Sequence, residues 1–262
     1  MTTVSRPTKP RTAWRLWLIA AVLAAITWLT WHDVGGNLTD IVANWRNGAD
    51  KIIALTQPDY AFFPHTVGPL LETLRMAVIA TAVSAAIAFP LSFLASRATN
   101  PSGPLLGTVR TVMNVARAIP DLLSAAVLVS MVGIGALPGI LALILFDVAI
   151  VVKLISEALD AADLGPQEAA IATGATYLEA NRAAIVPAIV PAFIAQTLYV
   201  LELNVRASSV LGLVGAGGLG MLIDEVRSFY RYHQLSLIIL EILIVVVVIE
   251  TVSTMVRKRL LA

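Results

Sequence analysis

Apolar and polar positions follow one another in long blocks along this chain, unlike the strict alternation of a half-buried strand. Most apolar blocks approach the ~20 residues that a helix needs to cross the roughly 30 Å hydrocarbon core of a bilayer. We therefore predict an all-α membrane protein with six transmembrane helices. They are expected at residues 14–31, 67–96, 119–132 with its flanks, 140–155, 185–204 and 235–256.

The last five of these spans form a predicted core at residues 67–256, with a basic and partly helical loop at 97–118. More polar segments flank this core and the first span. They are an expected cytoplasmic tail at 1–13, an extracytoplasmic segment at 32–66 and a second cytoplasmic tail at 257–262.

The first apolar block could also be a cleaved signal peptide. Trp14 and Trp31 bound it, in the interfacial positions that tryptophan prefers at the ends of a membrane span. The block is longer than the usual apolar region of a signal peptide, and His32 and Asp33 follow it where a cleavage site needs small residues. We therefore interpret residues 14–31 as a transmembrane helix.

Composition agrees with a membrane protein and excludes several kinds of chemistry. Hydrophobic residues make up 58% of the 262 residues and charged residues 13%, which leaves no room for a soluble domain of ordinary size. The absence of cysteine excludes disulfides and thiolate metal sites, and three scattered histidines indicate no metal cluster. We expect no catalytic residue, no metal and no cofactor in this chain, and no nucleic-acid partner.

The distribution of lysine and arginine predicts an orientation. With the N-terminus inside, twelve of these residues fall on the inner side and five on the outer side. Because positive charge accumulates in cytoplasmic loops, both termini are expected in the cytoplasm. The outer set is Arg46, Lys51, Arg206, Arg227 and Arg231; the inner set includes Arg97, Arg110, Arg117, Lys153, Arg182, Arg257, Lys258 and Arg259.

A polar stretch between the fourth and fifth spans, residues 157–187, is predicted to form a short helix, a bend and a second helix. Pro166 suits the first helical turn, where a missing N–H costs nothing. Gly174 follows an alanine-rich run and favours a left-handed conformation or a close backbone approach. The resulting element would present a small, alanine-rich face to another protein.

The spacing of this stretch resembles the EAA loop of ABC-importer permeases. The matching residues are Glu168, Ala169, Ala170, Gly174 and Pro187; Ala184 and Val186 stand where the family usually has isoleucine and leucine. The tripeptide alone would favour an ordinary solvated loop helix, because alanine-rich helices that contain glutamate are common. The longer spacing between two membrane spans favours the resemblance, which implies that these five residues couple the chain to an ATPase.

A second informative run extends from Glu202 to Gly220. Its five glycines disfavour a lipid-facing helix, and its apolar character disfavours a solvated loop, so we expect a broken or re-entrant element buried in protein. A phosphate-binding glycine loop is the alternative. No strand precedes the run and no Gly-Lys-Ser/Thr occurs in it, which argues against that interpretation.

Together with the EAA-like loop, this run is similar to the phosphonate-importer branch, as are Arg117 to Asp121 and Glu157 to Asp160. The resemblance implies the fold of a type I ABC importer permease in the bacterial inner membrane. Its implied partners are a second permease, identical or similar, two ATPase subunits that hold ATP and Mg²⁺, and an extracytoplasmic binding protein. The expected substrate path comprises Glu202, Asn204, Arg206, Ser208, Ser209, Gly215, Gly217 and Gly218.

Polar residues inside the predicted spans leave other functions open. Carboxylates such as Asp147, Glu241 and Glu250 are costly in lipid and could form the relay of a proton-coupled secondary transporter. Asp147 could equally serve packing or gating. Glu202 and Arg206, placed by the predicted topology at the outer end of the fifth span, could simply pair on one helix face. An importer of another small solute and an intramembrane hydrolase are further alternatives, although the hydrolase lacks a Gly-x-Ser-x-Gly or His-Glu-x-x-His pattern.

Overall fold

The structure, a computed structural model, describes residues 13–34 and 38–261, and all regular elements within those ranges are helical. The chain divides into two compact units, at residues 1–52 and 53–262. The predicted N-terminal cytoplasmic tail, residues 1–13, lies outside the described residues except for its last residue.

The first unit contains α1 (Ala13–Asp33), α2 (Leu38–Ala43) and most of α3 (Trp45–Leu55). Helix α1 covers the first predicted span, and its described side chains are all exposed. An apolar helix with no buried face suits a lipid environment. Two short helices thus occupy much of the segment that the sequence predicted to be extracytoplasmic.

The second unit contains nine α-helices, joined by short turns. They are α4 (Phe63–Ala95), α5 (Gly103–Ala118), α6 (Asp121–Val132), α7 (Ala136–Asp160), α8 (Gly165–Ala172), α9 (Tyr177–Ala180), α10 (Val186–Leu211), α11 (Gly218–Ser228) and α12 (Tyr232–Leu261). A π-helical turn, Asn181–Ile185, leads from α9 into α10, and a 3₁₀ turn, Gly212–Val214, follows α10.

Helices α4 and α7 pack against each other along much of their length, and α10 lies against both. Many of the buried residues at these contacts are alanines, including Ala80, Ala88 and Ala142, each with no exposed surface. Small side chains let helix backbones approach closely, which is how membrane helices gain packing energy without a hydrophobic driving force. Buried alanines thus let these helices approach closely, and larger side chains such as Leu143 and Ile155 fill the space between them.

The third predicted span takes a form that the sequence interpretation did not anticipate. Helix α6 has 12 residues, so at 1.5 Å per residue it is about 18 Å long and too short to cross a bilayer alone. It joins α5 at a bend of 84°. Pro120 explains the bend, because a residue before proline is driven from the helical to the extended region, and Ile119 has φ −82° and ψ 123°.

Five helices among the described residues are therefore long and apolar enough to span a membrane, or six if α5 and α6 count as one bent span. The five are α1, α4, α7, α10 with its flanks, and α12. The predicted all-helical, multi-pass fold is confirmed.

Candidate functional site

The polar stretch between α7 and α10 folds as predicted around Gly174. Pro166 stands in the first turn of α8, and Gly174 just past its end has φ +98°. The amide of Gly174 donates to the carbonyl of Ile171 at 2.9 Å, and that of Ala175 donates to Ala170 at 3.1 Å. This pair of bonds is the Schellman motif, which satisfies the last carbonyls of a helix and requires a left-handed residue at its end.

The second helix of the loop starts at a capping box. Thr176 accepts a hydrogen bond from the Glu179 amide through its hydroxyl, while the Thr176 amide donates to Oε2 of Glu179 at 2.8 Å. The buried amide of Gln167 also donates to Oδ1 of Asn181, which joins α8 to the π-helical turn. The bend between the two helices is therefore fixed from both sides.

Several side chains of this loop are exposed on the surface of the described chain. Glu168, Ala169 and Ile171 on α8 are exposed, and so are Gly174 and Pro187. A short helix with small side chains on an open face can be approached closely by another protein. The structure thus brings four of the five predicted coupling residues into α8 and its end; Pro187 lies apart, in the first turn of α10.

Asp160, at the last residue of α7, anchors the start of the loop. Its Oδ1 accepts hydrogen bonds from the Ser96 hydroxyl and the Arg97 amide, both at 2.7 Å. Its Oδ2 pairs with Arg110 at 2.6 Å, and Arg110 Nε also donates to the carbonyl of Ala95 at 2.7 Å. One carboxylate thus joins the ends of α4 and α7 to α5.

Tyr177 makes a matching contact at the far end of the loop. Its hydroxyl donates to the carbonyl of Ala98 at 2.6 Å. Asp160 and Tyr177 therefore both hold the same connection, residues 96–102, between α4 and α5. Sequence analysis did not single out this contact or the ion pair with Arg110, because nothing in the local pattern shows which distant backbone groups a side chain will reach.

The glycine-rich run breaks the chain between α10 and α11, as expected. Gly215, Gly217 and Gly218 have φ of +88°, +83° and +67°, conformations that favour glycine. A Cβ on Gly218 would lie 2.5 Å from Oγ1 of Thr73, whose hydroxyl accepts the Leu219 amide at 2.8 Å. Gly217 and Gly218 are buried, so the break is enclosed by the helices of its own unit.

Glu202, predicted at the outer end of the fifth span, lies beside Arg257 of α12, which was predicted on the inner side. It pairs with Arg206 on α10, and its Oε2 also lies 3.6 Å from Nη2 of Arg257 on α12. Sequence analysis placed Arg206 on the outer side and Arg257 on the inner side. Since both arginines meet one carboxylate, that separation is wrong: α10 continues past Asn204 to Leu211, so Glu202 is not at its outer end.

The polar groups of the other predicted path residues on α10 already form hydrogen bonds within the protein. Buried Asn204 donates to Oδ2 of Asp147 at 2.6 Å and to Oγ1 of Thr81 at 2.9 Å, joining α10 to α7 and α4. Ser208 and Ser209 donate to carbonyls one turn earlier on their own helix. These contacts explain how the polar side chains are accommodated among apolar helices.

Residues 88–261 match the family described as the inner membrane component of binding-protein-dependent transport systems. The chain belongs to this family. It is accordingly an ABC importer permease, a membrane-spanning transport subunit and not an ATPase. The resemblance noted in the sequence is confirmed, and the interpretations as a secondary transporter or a hydrolase are superseded.

Similar permeases carry names that refer to phosphorus compounds. The chain is 38% identical over 219 residues to the phosphate-import permease protein PhnE of Mycolicibacterium smegmatis, covering 82% of this chain and 41% of that one. It is 34% identical over 250 residues to the phosphite transport system permease protein PtxC of Stutzerimonas stutzeri, covering 94% and 90%. The chain therefore spans less than half of the first relative and nearly all of the second.

Solved structures show the same fold. An inward-facing form of the MetNI methionine ABC transporter contains a chain that superimposes with a TM-score of 0.70, at 22% identity, over 77% of this permease and 99% of that chain. A chain of an amino acid ABC transporter gives 0.66 at 20% identity, over 76% and 95%. At such identities the likeness establishes the architecture of a type I importer permease.

Proposed function

We propose that this permease forms the membrane path through which a phosphorus oxyanion, such as phosphonate, phosphite or phosphate, enters a bacterial cell. The observation that carries the proposal is the similarity to the phosphite permease PtxC over 94% of this chain and 90% of that one. Names of relatives that refer to phosphate and phosphonate support the same substrate class. The permease would reside in the inner membrane with both termini in the cytoplasm.

The open face of α8 supports docking of a separate ATPase subunit. Glu168 and Ala169 are exposed on a helix that ends at Gly174, and the contacts of Asp160 hold the end of α7 that precedes it. The ATPase would hold ATP and Mg²⁺ and drive this element, and an extracytoplasmic binding protein would deliver the substrate. A second permease, identical or similar, would complete the path.

Rigid anchoring of the loop gives the permease a means of responding to the ATPase. Asp160 precedes α8 and Tyr177 follows it, and both contact the α4–α5 connection, so a displacement of α8 would be passed to that connection from both sides. Helices α4, α7 and α10 are packed together, so they would move with that connection. Contiguous contacts of this kind can carry coupling between distant sites.

Uptake in whole cells tests the proposal. In a strain that lacks this permease and all other importers of phosphorus oxyanions, we expect loss of uptake of at least one of labelled phosphonate, phosphite and phosphate, restored by the intact gene. Methionine is the comparison solute, because a methionine permease of Vibrio cholerae is 30% identical over 189 residues. Loss of methionine uptake alone would contradict the phosphorus assignment while keeping the importer family.

A further inference from the structure

One buried carboxylate stands between two arginines from different helices. The side chain of Glu202 on α10 is 9% exposed; its Oε1 pairs with Arg206, and its Oε2 lies 3.6 Å from Nη2 of Arg257 on α12. The two guanidinium side chains are more open, at 48% for Arg206 and 28% for Arg257. The cluster therefore carries one net positive charge and can be reached from outside the protein.

A second observation at the same place points to a ligand. Ser253 lies four residues before Arg257, on the same face of α12. Its hydroxyl is buried, the residue being 3% exposed, and it has no hydrogen-bond partner among the described residues. A buried hydroxyl without a partner is costly in an apolar setting and is rare in native proteins. The unused hydroxyl thus lies one helical turn from Arg257, whose guanidinium contacts Glu202.

These groups match the chemistry of a phosphorus oxyanion. Arginine presents a planar fork of N–H donors that binds phosphate oxygens two at a time, and a hydroxyl can donate to a third oxygen. We propose that Arg206, Arg257 and Ser253 form an anion site on the substrate path, and that the Glu202 carboxylate competes with the substrate for the two guanidiniums. This inference rests on the proposed function and adds to it the place where the anion binds.

Competition between Glu202 and the substrate serves transport. The two arginines would be costly to leave unpaired among membrane helices, and a carboxylate from the protein itself satisfies them. A substrate anion entering the site takes the place of that carboxylate, and the return of Glu202 then promotes its release. The site would therefore bind the anion and still release it within one transport cycle.

The alternative role for Glu202 is a simple structural clamp between α10 and α12. The two roles predict opposite effects of Glu202→Gln, which removes the charge and preserves the shape. If Glu202 competes with the substrate, the variant removes the competing charge from both guanidiniums and binds the anion more tightly. If it only clamps the helices, the variant loosens the site and binds more weakly or not at all.

Direct binding measurements decide between these roles. The full-length permease, assembled with its ATPase in lipid nanodiscs, is titrated calorimetrically with methylphosphonate. We expect Glu202→Gln to lower the dissociation constant roughly tenfold, a size typical of coupling between linked sites. Arg257→Gln should abolish detectable binding, and Ser253→Ala should weaken it a few-fold. Asp224→Asn, which removes an equal charge from a surface pair with Arg227 on α11, should leave the constant unchanged.

Weaker binding in Glu202→Gln, or unchanged binding in Arg257→Gln, overturns the proposal. Should Glu202→Gln fail to assemble, Ser253→Ala decides the question, because it removes only a neutral hydroxyl: unchanged binding would then count against the site. Cellular uptake separates this result from the broader function. Normal phosphonate uptake by Arg257→Gln would show an importer of phosphorus oxyanions whose anion site lies elsewhere.

Discussion

At the residue scale, Gly174 shows how one backbone conformation sets the geometry of the loop. Its φ of +98° ends α8 and turns the chain toward Thr176, where the capping box starts the next helix. A Cβ at this position would meet no atom within 4 Å, so any cost of substitution comes from the backbone and not from crowding. A β-branched residue would therefore strain the bend without disturbing a neighbour.

We predict that Gly174→Val lowers stability by about 1–2 kcal/mol, the cost of a left-handed conformation at a residue with a branched side chain. The altered bend should weaken ATPase association while membrane insertion stays normal. Co-purification with the ATPase and substrate-stimulated hydrolysis are the measurements. Gly107→Val is the matched control, since Gly107 lies in α5 with ordinary φ and has equally open surroundings. Equal behaviour of the two variants would contradict a role for the bend.

A second prediction concerns the polar contacts that join α4, α7 and α10. Asn204→Ala removes the donor to Asp147 and Thr81 and should lower the free energy of unfolding by about 1–3 kcal/mol, because buried partners are left unsatisfied. Denaturant unfolding of the purified permease measures this change. Asn114→Ala removes an exposed amide from α5 and should cost less than about 0.5 kcal/mol. A change of similar size in both would show that the buried contacts contribute little.

At the scale of elements, the long helices could be predicted because a bilayer demands long apolar runs. The sequence also carried the signal for the end of α8, in the glycine that follows an alanine-rich run. The bend at Ile119 was missed because residues 97–118 were interpreted as a basic, partly helical loop and residues 119–132 as a separate span, whereas α5 and α6 form one bent pair of helices. Pro120 was the available signal, and its effect on the preceding residue accounts for the 84° angle.

The position of Glu202 was beyond local prediction for a different reason. The sequence interpretation ended the fifth span at Asn204, whereas the helix extends to Leu211 and α11 continues beyond the glycine break. The depth of a residue in the membrane depends on where its helix starts and on how that helix tilts against its neighbours. Only the contact with Arg257 reveals that Glu202 and the end of α12 lie side by side.

A third prediction tests the anchoring of the loop. Asp160→Asn preserves shape but weakens charge-assisted bonds to Arg110 and to the Arg97 amide, which are stronger than bonds between neutral groups. We expect ATP hydrolysis to persist and the number of substrate molecules moved per ATP to fall. Glu157→Gln is the control, since that exposed carboxylate pairs with Lys153 at i, i+4 on the same helix. If transport per ATP is unaffected by Asp160→Asn, the contact is merely structural.

At the scale of the whole molecule, the charge distribution still sets the expected orientation. Arg206 and Arg257 contact one carboxylate, so they cannot count for opposite sides of the membrane. Without these two residues, eleven lysines and arginines remain in the predicted inner set and four in the outer set, and the positive-inside rule still associates the larger set with the cytoplasm. The loop containing α8 would then face the ATPase and its nucleotide.

The last prediction uses the two ends of α12 to test this orientation. The helix extends from Tyr232 to Leu261, and its 29-residue apolar part is long enough to cross a bilayer. We use a reporter that is active only outside the cytoplasm. It should be active when inserted between Phe229 and Arg231, and inactive when fused after Ala262. Reversed activities would overturn the orientation while keeping α12 as a span. Activity on the same side at both positions would show that α12 does not cross the membrane, and the proposed contact between α8 and a cytoplasmic ATPase would then need a different topology.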